Sequence, residues 1–340
     1  MQFIGESLDD VLMHLYAALT TQGNGNSSTR GDSREFLGVT LRLLNPRARL
    51  SLSEDRGKPF SALGELLWYL SKENKLSFIR RYIPMYKKES EADGTVYGGY
   101  GPRLFSMRGN NQVSNIINLL RESPGSRRAV IQLFNAEDIS SRRKEVPCTT
   151  TMQFFQRDRR LHMATTLRSN DAYLGLPHDI FCFTMLQEMI ARSLGVEIGE
   201  YYQFVGSMHI YNQDLESCQA YVKEGFHKLS PMPEMPEGDP FPKVRTLLDS
   251  EKRLRKKEFT NASEIFSESY WQDILRLLQI YFLSENRELS EVVVGQFTSK
   301  VYKIYAEDRL LRAKKAAPVD SGESMARGRS ECGLRGNGKD

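Results

Sequence analysis

Three observations predict a fold that mixes helices with strands. Leu8, Val11, Leu12, Leu15 and Leu19 recur at helical spacing near the start of the chain. Residues 129–134, 150–155 and 161–167 are short runs with the composition of strands. Residues 179–194 read as a long apolar helix, with Ile180, Phe183, Leu186, Met189 and Ile190 on its buried side. A chain of 340 residues, 40% hydrophobic and 26% charged, suffices for one large domain with an appendage or for two domains.

In chain order, Ser7 with Asp10 forms a capping box that opens a first helix over residues 7–20. The run from Gly23 to Ser28 reads as a flexible loop leading to Arg30. Residues 36–52 alternate in part and read as strands broken at Asn45-Pro46, and residues 63–70 as an apolar helix carrying one acid, Glu65. Glycines 94, 98, 99 and 101 make residues 90–103 a loop region, followed by a helix over 113–120. Pro231, Pro233, Pro236, Pro240 and Pro242 mark the end of the compact unit. Beyond it, the basic run 252–257 reads as solvated, and residues 265–283 and 291–312 as two amphipathic helices. Residues 318–340, rich in Gly, Ser and charge, read as disordered. The expected division is a catalytic domain over 1–250, a helical extension over 251–316 and a tail over 317–340.

Composition excludes several classes. A net charge of +4 is too small to argue for nucleic acid or a membrane surface as partner. The four cysteines, Cys148, Cys182, Cys218 and Cys332, form no Cys-x-x-Cys pair, against a zinc ribbon or a thioredoxin-type site; no metal is expected. They suit a reducing compartment, and no basic n-region followed by an apolar stretch opens the chain, so the expected compartment is the cytoplasm.

The chemistry centres on Cys148, in Val146-Pro147-Cys148-Thr149, lying between the pair Arg127-Arg128 and Arg168-Ser169-Asn170-Asp171. A thiol beside fixed cations is expected to have a lowered pKa and to be nucleophilic near neutral pH. Arginine holds phosphate through a planar fork. The pattern points to covalent catalysis on a phosphorylated small molecule. A lone cysteine is more often a small buried hydrophobe, which fits Cys182 on its apolar helix better than Cys148.

Seven segments in collinear order resemble the thymidylate synthase family, including its cytosine-specific hydroxymethylase branch. They are Glu65-Leu66-Leu67-Trp68, Tyr100-Gly101, Ser126-Arg127-Arg128, Pro147-Cys148, Arg168-Ser169-x-Asp171, Gly175-Leu176-Pro177 and His209-Ile210-Tyr211, within residues 7–230. The resemblance implies an α+β fold, a large mixed sheet with helices on one face, pairing sheet to sheet in a homodimer. It implies that Cys148 attacks C6 of a pyrimidine nucleotide and that C5 then attacks the methylene of methylenetetrahydrofolate. Glu65 would relay protons and Tyr100 would help remove the C5 proton, with Tyr97-Gly98 as the competing alignment. Arg168 and Ser169 would hold phosphate from the same subunit, and Arg127 and Arg128 from the other. Arg30 matches the mobile-loop arginine, with Arg34 as competitor. His209 and Tyr211 would bind the sugar hydroxyl, and Asp171 and Gly175 the folate side. The competing reading for an isolated arginine is a surface ion pair of little worth, and for a lone histidine such as His14, His162 or His227 a structural role.

The chain departs from thymidylate synthases at Asp179, where the family carries asparagine. An asparagine amide complements N3–H and O4 of uracil, whereas a carboxyl group can accept from N4 of cytosine and, when protonated, donate to N3. Asp179 could also simply cap the helix beginning at Ile180. Thr149 after the cysteine and Gly206-Ser207 before the histidine motif again resemble the cytosine branch. The polar end of the chain favours water over hydride as the final nucleophile, because an apolar lid would exclude water. The expectation is hydroxymethylation of dCMP, with CMP close behind; the alternatives are thymidylate synthesis from dUMP and a degenerate homologue that binds nucleotides or partners without turnover.

Overall fold

The computed structural model describes residues 1–28, 30–53, 59–283 and 286–316, with side chains as far as 312. The fold is α+β. Seven strands among the described residues form one mixed sheet: β1 (Gln2–Gly5), β2 (Asn24–Ser28), β3 (Gly31–Leu43), β4 (Val130–Gln132), β5 (Thr149–Arg157), β6 (Arg160–Asp171) and β7 (Glu197–Tyr211). Their spatial order is β1-β3-β7-β6-β5-β4, with β2 hydrogen-bonded to β3. Strands β1 and β3 run parallel, as do β6 and β7, and the other pairs are antiparallel.

Parallel neighbours cannot be joined by a hairpin. The helix Gly175–Leu194 makes the crossover between β6 and β7, and Gly195 in the left-handed region (φ 68°) ends it. Its apolar residues run almost all the way round, so it is buried between the sheet and the helix Pro59–Leu70. Ser7 and Asp10 form the expected capping box on the first helix, Leu8–Gln22.

Several boundaries differ from expectation. The supposed loop at 23–28 is strand β2, in register with β3 from Asn24↔Glu35 to Ser28↔Gly31. Its residues are all exposed, so pairing rather than burial holds it, and Gly, Asn and Ser carry no strand signal. Residues 45–52 are not strand, because β3 ends at Leu43. The helix Tyr100–Phe105 starts inside the loop expected over 90–103. The helix expected over 291–312 is two, Arg287–Gly295 and Lys300–Ala316. Buried Asp273 accepts from the backbone N–H groups of Thr298 and Ser299 at 3.1 and 2.8 Å, which anchors the turn between them. The expected tail over 318–340 lies outside the described residues.

The prolines do not end the packing. Tyr281, on the helix Ser269–Leu283, stacks on Phe60 and on Tyr82, with ring centroids 6.1 and 5.0 Å apart. Arg309 lies over the Phe60 ring, and Tyr305 donates to the Ser51 carbonyl at 2.9 Å. The C-terminal helices therefore back the helix Pro59–Leu70 that carries Glu65. No helix among the described residues is long and apolar enough to cross a membrane.

Candidate active site

A cavity of about 970 Å³ opens where the ends of β5, β6 and β7 meet the helices Pro59–Leu70 and Gly175–Leu194. Cys148, Glu65, Tyr100, Arg168, Ser169, Asp171, Gly175, Asp179, His209, Tyr211 and Arg30 all line it. Arg127 and Arg128 do not; both are exposed on the chain entering β4. The alternatives separate as well. Arg34 donates to the Thr20 carbonyl at 2.8 Å, and Tyr97 lies under the guanidinium of Arg143 outside the lining.

Cys148 immediately precedes β5, beside Arg168 of β6. The Arg168 backbone N–H donates to the Cys148 carbonyl at 2.8 Å. The Arg168 guanidinium donates through Nε to the Pro147 carbonyl and through Nη2 to the Val146 carbonyl, each at 3.0 Å, and lies 3.6 Å from Cys148 Sγ. The same fork thus shapes the turn and faces the sulfur. The expected lowering of the thiol pKa is not what the site produces. Burial pushes Cys148 up to about 11, and Arg168 offsets only part of that. Tyr100 steadies the next residue: its hydroxyl donates to Thr149 Oγ1 at 2.9 Å and accepts from the Thr149 N–H at 3.1 Å.

Glu65 is 5% exposed, in the middle of its helix. Its Oε1 accepts from Tyr69 at 2.9 Å and from Tyr86 at 2.7 Å, and its Oε2 lies 3.5 Å from His178 Nδ1. His178 Nε2 is 2.9 Å from Ser61 Oγ, one helical turn before Glu65. Asp179 follows His178 and accepts from Asn170 Nδ2 at 2.7 Å. Burial first, and then the charge of Glu65, hold the Asp179 carboxyl well above the usual carboxylate range.

Asp171 Oδ1 accepts from the N–H groups of Tyr173 and Leu174 at 2.8 and 3.1 Å, so one of its oxygens shapes the turn into the helix. A Cβ on Gly175 would sit 3.2 Å from Asn170 Nδ2, so glycine keeps that amide uncrowded. His209 and Tyr211 share one face of β7, rings edge to face with centroids 5.0 Å apart. Arg30 pairs with Glu89 at 2.9 Å.

Sequence reasoning missed Tyr69, Tyr86, His178, Asn170 and Glu145. Tyr69 lies four residues after Glu65, a spacing that puts both on one helix face. Tyr86 comes from a separate short helix and left no signal. Glu145 sits against Gly98, where any Cβ would strike its carboxylate, and its Oε2 is buried without a hydrogen bond. Burial raises it to about 7; nearby Glu89 adds to the rise, and Arg168 opposes it.

The cavity also offers a place for a flat heteroaromatic group. Trp68 Nε1 is buried without a hydrogen-bond partner among the described residues, and Trp68 packs edge-on against Tyr86 with centroids 5.2 Å apart. Both rings line the cavity.

The thymidylate synthase family model matches residues 22–238. Thymidylate synthase 1 of Bacillus spizizenii is 29% identical over 212 residues, 58% of this chain and 76% of that protein. The thymidylate synthases of Bacillus phage phi3T and of Bacillus subtilis subsp. natto are each 31% identical over 171 residues, 48% of this chain and 61% of theirs. The chain therefore spans about three-quarters of the first relative and less than two-thirds of the other two.

Proposed function

The chain belongs to the thymidylate synthase family, and within it we propose hydroxymethyl transfer to C5 of a cytidylate, dCMP first and CMP second. The observation that carries this reading is Asp179: a buried carboxyl lining the cavity, its pKa raised by that burial, which when protonated would accept from N4 and donate to N3 of cytosine. The names of the relatives favour a second reading, methylation of dUMP.

In this proposal Cys148 Sγ adds to C6, forming the C–S bond, while N3 gains hydrogen-bonded support from the Asp179 carboxyl as negative charge moves onto the ring. Because burial holds the thiol near 11, Arg168 at 3.6 Å is the group that favours the reactive anion. Arg168 and Ser169, with Arg30, would hold the phosphate, His209 and Tyr211 the sugar. Arg127 and Arg128, exposed here, would reach the phosphate of a second copy across a homodimer.

Methylenetetrahydrofolate would supply the one-carbon unit, and Trp68, Asp171 and Gly175 would hold it. Glu65, fixed by two tyrosine hydroxyls and beside His178, moves protons at the base. Tyr100, pinned by Thr149, would help remove the C5 proton.

The test is incubation with dCMP, CMP and dUMP plus methylenetetrahydrofolate, followed by product masses. A hydroxymethyl cytidylate is expected; turnover of dUMP alone, to dTMP, would overturn the cytosine reading. Exchange of the C5 proton with solvent separates either enzyme from a non-catalytic homologue.

A further inference from the structure

A line of buried polar groups runs from the interior of the sheet to Asp179. Thr165 Oγ1 and the Tyr201 hydroxyl are 2.8 Å apart, Tyr201 donates to Gln203 Oε1 at 2.6 Å, and Gln203 Nε2 donates to Asn170 Oδ1 at 2.9 Å. Asn170 Nδ2 then donates to Asp179 Oδ2 at 2.7 Å. Thr165, Tyr201, Gln203 and Asn170 are 2, 0, 0 and 4% exposed. Four polar side chains at that depth are expensive unless each is satisfied. A fully apolar set would have served packing alone.

The line has a direction. Gln203 presents its carbonyl to Tyr201 and its amide to Asn170, so Asn170 must present its carbonyl backwards and its amide forwards. The donor end therefore always meets Asp179 at Oδ2. A carboxyl oxygen that already accepts an N–H is the poorer place for the acid proton, which leaves that proton on Oδ1. Gly175 keeps the junction open, since a Cβ there would lie 3.2 Å from Asn170 Nδ2 and 3.9 Å from Asp179 Oδ2. Burial keeps Tyr201 protonated, so its O–H remains a donor.

We propose that Asn170, oriented by Gln203 and Tyr201, is a positioning residue for base selection: it fixes Oδ2 of Asp179 as acceptor and Oδ1 as donor toward the base. This rests on the cytosine reading above and goes beyond it. Selectivity then depends in part on Thr165, Tyr201 and Gln203, which do not line the cavity. Asp179 alone could turn its acidic edge either way; the relay removes that freedom. The other ionisable groups around Asp179 are Glu65 on the facing helix, Asp171 on β6, Cys148 before β5, Tyr100 across the cavity, Tyr201 buried in the sheet behind it, and His178 and Cys182 on its own helix.

The test measures kcat/KM for dCMP, CMP and dUMP in the full chain, as wild type, Asn170→Asp and Gln203→Met. Asn170→Asp keeps the shape but exchanges the donor for a second carboxyl that must share a proton with Asp179. Its preference for cytidylate over uridylate is expected to fall about 10- to 100-fold at neutral pH and to recover as pH is lowered, a limb absent from the wild type. Gln203→Met releases the Asn170 amide without adding charge and is expected to cost about 3- to 10-fold in the same ratio, with no new pH limb. If both variants keep the wild-type ratio and pH profile, the relay is structural and the inference is wrong while the cytosine reading stands. If the wild type itself prefers dUMP, both fall together. Should Asn170→Asp fail to fold, the Gln203→Met ratio alone decides.

Discussion

The two ends of the cavity solve opposite electrostatic problems. At the Glu65–Asp179 end, each carboxylate oxygen engaged by the protein already has a fixed donor, from Tyr69, Tyr86 or Asn170. At the Cys148 end, Arg168 is turned onto two backbone carbonyls, Arg30 pairs with Glu89, and Glu145 keeps a buried oxygen without a hydrogen bond. At the first end the protein supplies its own donors, and in the proposed relay only Asp179 Oδ1 is left for the base. The second is arranged around charges that an anionic substrate would rearrange. On the proposed function, recognition of the base would be preorganised, whereas activation of the thiol would be coupled to whatever occupies the phosphate site.

Replacing the nucleophile tests the second end most severely. Cys148→Ser is expected to lose turnover by on the order of 10⁴-fold or more, since an unactivated hydroxyl cannot substitute for the thiolate. Single-turnover product assays would check it, and near-normal turnover would remove Cys148 from the mechanism. In the free protein, thiol alkylation should keep rising with pH toward about 11; a plateau near neutrality would show that Arg168 outweighs burial after all.

The next test falls on the first end. Glu65→Gln keeps acceptors for Tyr69 and Tyr86 but removes the transferable proton, and should lower kcat by about 10²- to 10⁴-fold. Binding of nucleotide should change little, so a loss confined to KM would reassign Glu65 to substrate binding. Tyr86→Phe sharpens the comparison at smaller scale. It removes the 2.7 Å donor while Tyr69 remains, so a loss of about tenfold in kcat/KM is expected from the loss of one hydrogen bond to the Glu65 carboxyl. An unchanged pH–rate profile in this variant would mean that Tyr69 alone fixes Glu65.

The sequence disclosed these ends unequally. Cys148 and Glu65 were legible because each stands out from its neighbours: a thiol after proline before a row of threonines, and one acid in an apolar helix. Asp179 stood out because a carboxyl contrasts with an amide, and it lines the cavity. The relay behind it was not, since Thr165, Tyr201 and Gln203 lie on two strands brought together only by the parallel pairing of β6 with β7. Tyr86 reaches Glu65 from a four-residue helix that has no periodicity to read. Ionisation of Cys148 was misjudged for a related reason: the neighbouring arginine is visible in the sequence, but the depth of the thiol is not. Strand β2 escaped because a polar hairpin arm carries no burial pattern.

The smallest expected effect isolates the unfinished character of the thiol end. Glu145 holds its proton in the folded protein up to about 7, against 4.5 for an ordinary glutamate. Between those values the folded state binds a proton that the unfolded state has released. The group therefore favours folding at acid pH, and its contribution is lost as pH rises from 4.5 through about 7. Glu145→Gln carries no such charge. The substitution should leave Tm nearly unchanged at pH 5 and raise it by about 1–3 °C at pH 8, in substrate-free protein at low salt. A Tm that falls at pH 8 would show instead that the ionised carboxylate holds Arg168 or Arg30 in place. In that case the second end, like the first, would supply its own partners without substrate.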